Sequence, residues 1–117
     1  MVVQELGWDT DCDEELRTQI MDLIDADMVE ETDDADLVLL WQRADTEVAD
    51  GLVDAQRDLS AKGCIWLLTP KRGRNGFVGP SDIQEGIALA GMTSGVSVNI
   101  SPIWNAIKVV RVGHTRR

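Results

Sequence analysis

The sequence predicts an α/β fold: a three-layer sandwich around a mostly parallel sheet of about five or six strands, ending in an antiparallel hairpin. Three observations carry that reading. Strand-like and helix-like segments alternate along the chain. Two apolar runs, LVLLW at 37–41 and CIWLLT at 64–69, are continuous rather than alternating, the mark of strands buried on both faces. A glycine-rich basic loop directly follows the second run and precedes a helix start, where open α/β sheets place their ligand loops.

The elements follow in order. Residues 2–6 form a short first strand, stopped by Gly7. A helix spans about 11–25, with Leu16, Ile20, Leu23 and Ile24 at helical spacing. Acids crowd its first turn, at the positive end of its dipole, and Asp9 or Asp11 is expected to cap it. Residues 28–30 read as a short second strand, 32–36 as an acidic turn and 37–41 as the third strand. A second helix at about 46–62 carries the stripe Val48, Leu52, Ala55 and Leu59, with Gly63 as its stop. After the strand at 64–69, Ser81 is expected to cap a third helix, with Gln84 completing a capping box and Gly91 ending the helix. Segments 95–100 and 104–112, joined across Ser101-Pro102, form the hairpin. The expected strand order is 2-1-3-4, with the hairpin strands beyond strand four. Residues 1–112 are read as one domain, and 113–117, which include the only histidine, His114, as a flexible basic tail.

Charge is distributed unevenly. Residues 1–60 hold 19 of the 21 acids and three of the 11 bases, a net of −16, whereas residues 61–117 hold two acids and eight bases, a net of +6. An acidic face and a basic face follow. Direct binding to nucleic acid is not expected, because the acidic half repels phosphates and no aromatic-rich basic stripe is present. No apolar run approaches the roughly 20 residues of a membrane span, so no membrane role is expected. Neither the N-terminal residues nor the two cysteines suggest export, and a cytoplasmic, reduced protein is the expectation.

Candidate ligand residues gather where strands end. Gly7, Trp8 and Asp9 follow the first strand, Glu30 the second, Trp41 closes the third and Thr69 the fourth. Lys71, Arg72 and Arg74 stand among glycines that expose backbone N–H groups, and Ser81 opens the next helix, a composition suited to phosphate or carboxylate. The loop is not a P-loop, since no glycine-lysine-serine/threonine sequence precedes a helix. No metal site is expected: Cys12 and Cys64 lack metal-ligand spacing, and Asp9, Asp11 and Asp13 lack the glycine and glutamate of a calcium loop. No catalytic nucleophile or acid–base pair is credible, and the paired carboxylates read as a solvated face.

QELGWD (4–9), the acidic helix, DLVLLWQR (36–43), IWLLTPKRGR (65–74) and PSDIQEG (80–86) together resemble an actinobacterial family, domain of unknown function 3052. That resemblance covers most of the chain and implies no particular chemistry. More distantly, the order of elements resembles a shortened class I methyltransferase, and so a Rossmann-like domain. That likeness implies a glycine-rich first turn holding S-adenosylmethionine and an acid, Glu30 or Glu31, on its ribose. In this chain the glycine motif is reduced to Gly7, with Trp8 where a small residue would stand.

The leading expectation is therefore a non-catalytic binding or regulatory module. Its partner would be a protein docked on the acidic half or a small anion at the basic loop. Two alternatives stand beside it: a reduced methyltransferase-like enzyme using S-adenosylmethionine or a nucleotide, and an acidic mimic of nucleic acid. A homodimer, formed by the terminal strand at 107–112 pairing with its copy, is also expected.

Overall fold

The computed structural model describes residues 1–112; the tail at 113–117 lies outside the described residues. Eight elements follow one another: β1 (Val3–Leu6), α1 (Glu14–Ile24), β2 (Ala35–Trp41), α2 (Val48–Gln56), β3 (Leu59–Pro70), α3 (Pro80–Leu89), β4 (Met92–Asn99) and β5 (Trp104–Arg111). All five strands belong to one sheet of order β1-β2-β3-β5-β4. β1, β2 and β3 are parallel, and β5 runs antiparallel to both β3 and β4. The α/β class, the mostly parallel sheet and the C-terminal hairpin agree with the sequence reading.

The sheet separates two apolar clusters. Val38, Leu40, Ile65, Leu67 and Val109 face α2 and α3, where Leu52, Ala55, Ile83 and Ile87 meet them. Leu39, Trp41, Leu68 and Ala106 point the other way, toward Leu16 and Ile20 of α1. The strict alternation along β2 and β3 explains why both runs are apolar throughout. α2 and α3 touch closely at Gly86, where a Cβ would stand 2.6 Å from Val48.

Several local expectations are corrected. The second strand shrinks to a single bridge, Gln4 with Val29, on the outer side of β1. Met28 and Val29 are the only apolar residues between Asp27 and the acids Glu30 and Glu31, and Met28 packs into the α1-side cluster, so pairing does not propagate beyond Val29. Asp13, not Asp9 or Asp11, caps α1: its Oδ1 accepts from the Leu16 N–H at 3.1 Å. Leu23, placed on the apolar stripe, is exposed.

α2 ends at Gln56, well before Gly63, because Arg111 of β5 donates to the carbonyls of Gln56, Leu59 and Ser60 and draws the chain into the sheet. Gly63 instead lies in the irregular stretch where the β2–β3 register shifts. Ser81 does not cap α3. The cap is Gly79, no side chain bonds the free N–H groups, and Pro80 occupies the first turn. The terminal strand is internal, paired with β3 on one side and β4 on the other, so residues 107–111 have no free edge to offer a copy. Among the described residues no helix is long and apolar enough to cross a membrane.

Candidate functional site

The parallel strands β1, β2 and β3 all end at one rim, and the chain turns sharply there. Gly7 adopts φ +79°, and a Cβ on it would lie 2.5 Å from the Trp41 carbonyl oxygen. Only glycine fits this close approach with the left-handed backbone. The turn is locked by Arg43, just past β2. Its Nε and Nη2 grip the Asp11 carboxylate at 2.9 and 2.5 Å. Its Nη1 donates to the carbonyls of Gly7 at 2.9 Å and Trp41 at 3.2 Å. The guanidinium lies 5.3 Å from the centroid of the Trp104 ring, and that indole donates to the Asp11 carbonyl. One side chain thus ties the β1–α1 loop to the end of β2 and to β5.

Beneath this lock sits a second charged pair. Glu5, buried on β1, accepts two bonds from Arg17 of α1 at 2.6 and 2.7 Å and a third from the Trp41 indole at 2.9 Å. Trp41 packs edge-on against Trp104, with ring centroids 4.8 Å apart.

Between these locks and α2 the rim opens into a cavity of about 770 Å³. Gln4 is among its lining residues, 4% exposed, with its amide nitrogen donating to the Glu30 carbonyl at 3.0 Å. The other end of that amide, Oε1, is buried with no hydrogen-bond partner. Trp8, half-exposed, forms a wall and donates to Glu14 at 2.9 Å. Asp9, Glu30, Glu31, Asp45, Asp54 and Asp58 line the cavity against only two cations, Arg43 and Arg57. The site is acidic, and its one unsatisfied buried atom is an acceptor.

The structure places Gly7, Trp8, Asp9, Glu30 and Trp41 together around this cavity. It does not bring the others there. Thr69 lines a separate hollow beneath the basic loop. Lys71, Arg72 and Arg74 lie in the loop between Pro70 and Phe77, outside the lining of that hollow; Arg72 covers the Phe77 ring at 4.9 Å and the Lys71 N–H donates to the Ile103 carbonyl. Ser81 is exposed on the first turn of α3. Sequence reasoning missed Gln4, Glu5, Arg17 and Arg43. The signal for the first two was present, since glutamine and glutamate stand side by side between Val3 and Leu6 in a segment read as a strand.

The acid–base state of the rim follows from these contacts. The hydrogen bond from Arg43 holds the Asp11 carboxyl below the usual carboxylate range. The indole of Trp8, then Arg17, does the same for Glu14. Burial raises the thiols of Cys12 and Cys64, so neither is a poised thiolate nucleophile. Among the described residues no group of three or more His, Cys, Asp or Glu could hold a metal ion.

The Asp11–Arg43 pair sets a pH dependence. A carboxyl depressed in the folded chain adds stability above its unfolded value, near pH 3.9, and loses that stability as pH falls through the lower folded value. Arg43→Lys keeps the charge but loses the planar fork and its two carbonyl bonds. It is expected to cost about 2 kcal/mol at neutral pH and to shrink the loss of stability below about pH 4. Urea midpoints at pH 7, 4 and 3 measure both, and an unchanged acid limb in the variant would refute the assignment.

A Rossmann-like α/β domain with an acidic cavity at the carboxyl ends of its parallel strands is the class that fold and site define. The model of the family described as "Protein of unknown function (DUF3052)" matches residues 1–113, and the chain belongs to that family. Uncharacterized proteins of Mycobacterium tuberculosis H37Rv and Mycobacterium bovis are 38% identical over 113 residues, covering 94% of this chain and 71% of theirs.

Among solved structures the fold is similar to methyltransferases. CalO1, a methyltransferase in calicheamicin biosynthesis with SAH bound, has a TM-score of 0.56 at 13% identity. The mitomycin 7-O-methyltransferase MmcR has a TM-score of 0.56 at 12%. The magnesium protoporphyrin IX methyltransferase of Synechocystis PCC 6803, with SAM bound, has 0.53 at 9%. The matched regions cover 70%, 85% and 84% of this chain but only 32%, 38% and 53% of those proteins. These likenesses concern the fold.

Proposed function

We propose that this protein is a non-catalytic binding module that holds a small, uncharged or cationic ligand of the nucleoside class in the acidic rim cavity. The observation that carries the reading is a cavity lined by six carboxylates, one of whose lining residues, Gln4, keeps its buried Oε1 without a partner. A buried acceptor without a partner costs about 1–3 kcal/mol, a cost that a ligand O–H or N–H removes. Ribose hydroxyls, exocyclic amines and a sulfonium suit such a lining, whereas the triphosphate of a nucleotide would be repelled. Trp8 offers a half-exposed aromatic face beside them. The methyltransferases of similar fold whose structures hold SAM or SAH make S-adenosylmethionine the first probe. Binding without chemistry is favoured because the rim carboxyls held low are spent, Asp11 on Arg43 and Glu14 on Trp8 and Arg17.

Amide NMR titration with S-adenosylmethionine, adenosine and ATP tests the reading. Saturable shifts at Gly7, Trp8 and Glu30 with the first two, weaker with ATP, are expected, and Glu30→Gln should weaken binding about tenfold. Absence of saturable shifts at millimolar S-adenosylmethionine and adenosine would refute it.

A further inference from the structure

A second hollow, of about 300 Å³, lies farther along the same rim, between the end of β3, the start of α3 and the β4–β5 hairpin. Its chemistry is opposite to that of the acidic cavity. No acidic side chain lines it. The acids of α3, Asp82 and Glu85, line a different hollow on the α2 side. Thr69 lies within it, two residues beyond Leu67 on the face of β3 that meets α3, and is 3% exposed. Among the described residues its hydroxyl has no hydrogen-bond partner, although other threonine and serine hydroxyls at the surface do. Directly across the ladder from Thr69 stands Asn105, which lines the same hollow. Gln84 accepts from Ser94 through Oε1 at 3.4 Å, leaving its N–H₂ end as the donor.

The surroundings favour negative charge. α3, ten residues long, begins at this hollow with Pro80, and its cap residue Gly79 supplies no side-chain bond to the first N–H groups. Phe77 forms part of the wall, and Arg72 stacks over its ring. Lys71 and Arg74 belong to the same loop. The hydroxyl of buried Thr69, the amides of half-buried Asn105 and exposed Gln84, an uncapped helix start and the cations of the adjoining loop together make an oxyanion receptor. The Thr69 side chain, 3% exposed and without a hydrogen-bond partner among the described residues, separates this hollow from an ordinary helix terminus or an exposed basic loop.

We infer that this hollow binds the oxyanion head of a small organic acid, a phosphate monoester or a carboxylate, with Thr69 and Asn105 as donors and the loop cations as its electrostatic rim. The inference does not depend on what the acidic cavity binds, since it uses other residues and another probe.

Backbone and side-chain amide spectra of labelled protein, titrated at constant ionic strength with inorganic phosphate and separately with acetate, test it. Saturable shifts are expected at the Asn105 and Gln84 side-chain amides and at Thr69 to Arg74, with Trp8 and Glu30 unmoved. Saturation by phosphate alone assigns a phosphate head, and saturation by acetate alone assigns a carboxylate. Thr69→Val, near-isosteric at this buried position, should weaken the interaction about tenfold, and Asn105→Ala serves if the first variant fails to fold. Shifts that grow linearly, that stay confined to Arg72 and Arg74, or that persist unchanged in these variants would overturn it, because they describe counterions on an exposed loop.

Discussion

Gly7→Ala is expected to destabilise the protein by about 3 kcal/mol. Two effects add. An alanine held at φ +79° meets its own carbonyl group, at about 1–2 kcal/mol. Its Cβ would also stand 2.5 Å from the Trp41 carbonyl oxygen, a backbone atom rather than the end of a flexible side chain. Relief would require β1 and β2 to part at the rim. The next residue, Gln42, donates its N–H to Leu68 of β3 at 2.8 Å, and Arg43 holds both the Gly7 and Trp41 carbonyls, so the end of β2 is fixed from both sides. Forcing atoms into such a site costs about 1–3 kcal/mol. Thermal unfolding should fall by roughly 10–15 °C for a chain of this size. A loss under about 1 kcal/mol would mean that the strand ends separate freely, and the rim could not then be a preorganised binding site.

The same region shows what the sequence could and could not disclose. Class, layers and hairpin were legible because each rests on local pattern: two unbroken apolar runs, helical spacing of small and branched residues, and a short Ser-Pro turn. Gly7 marked the first turn for the same reason. The extent of α2 was not legible, because Arg111, more than fifty residues away, decides where it stops. The split of the candidate residues into two hollows was hidden too. Spacing along the chain places Trp41 and Thr69 alike at strand ends, yet Trp41 points to the α1 face and Thr69 to the α3 face. That difference comes from strand register, a property of pairing between distant segments. The partners of Glu5 and Arg43 are non-local in the same way.

Arg17→Met should be the more damaging change, at about 3–5 kcal/mol, because it strands a buried charge. The Glu5 side chain is only 7% exposed, against 21% for Arg17. With Arg17 gone, the carboxylate keeps one N–H, from the Trp41 indole, in place of three donors. The pair is not symmetrical. Glu5→Gln leaves a guanidinium at the surface of α1, still bonded to Glu14 and able to hydrate, so that variant should lose only about 1–2 kcal/mol. The double variant should then be more stable than Arg17→Met alone, since a neutral amide beside Met no longer carries the desolvation cost of an unpaired charge. Urea unfolding of the two single variants and the double variant measures the cycle. The Trp41 indole N–H resonance reports whether the Trp41–Trp104 contact loosens in step. If the double variant proves no more stable than Arg17→Met, burial of the Glu5 charge is not what Arg17 offsets. The pair would then act through packing of α1 on the sheet, a helix that buries no residue fully and holds its place through Leu16, Ile20 and this ion pair.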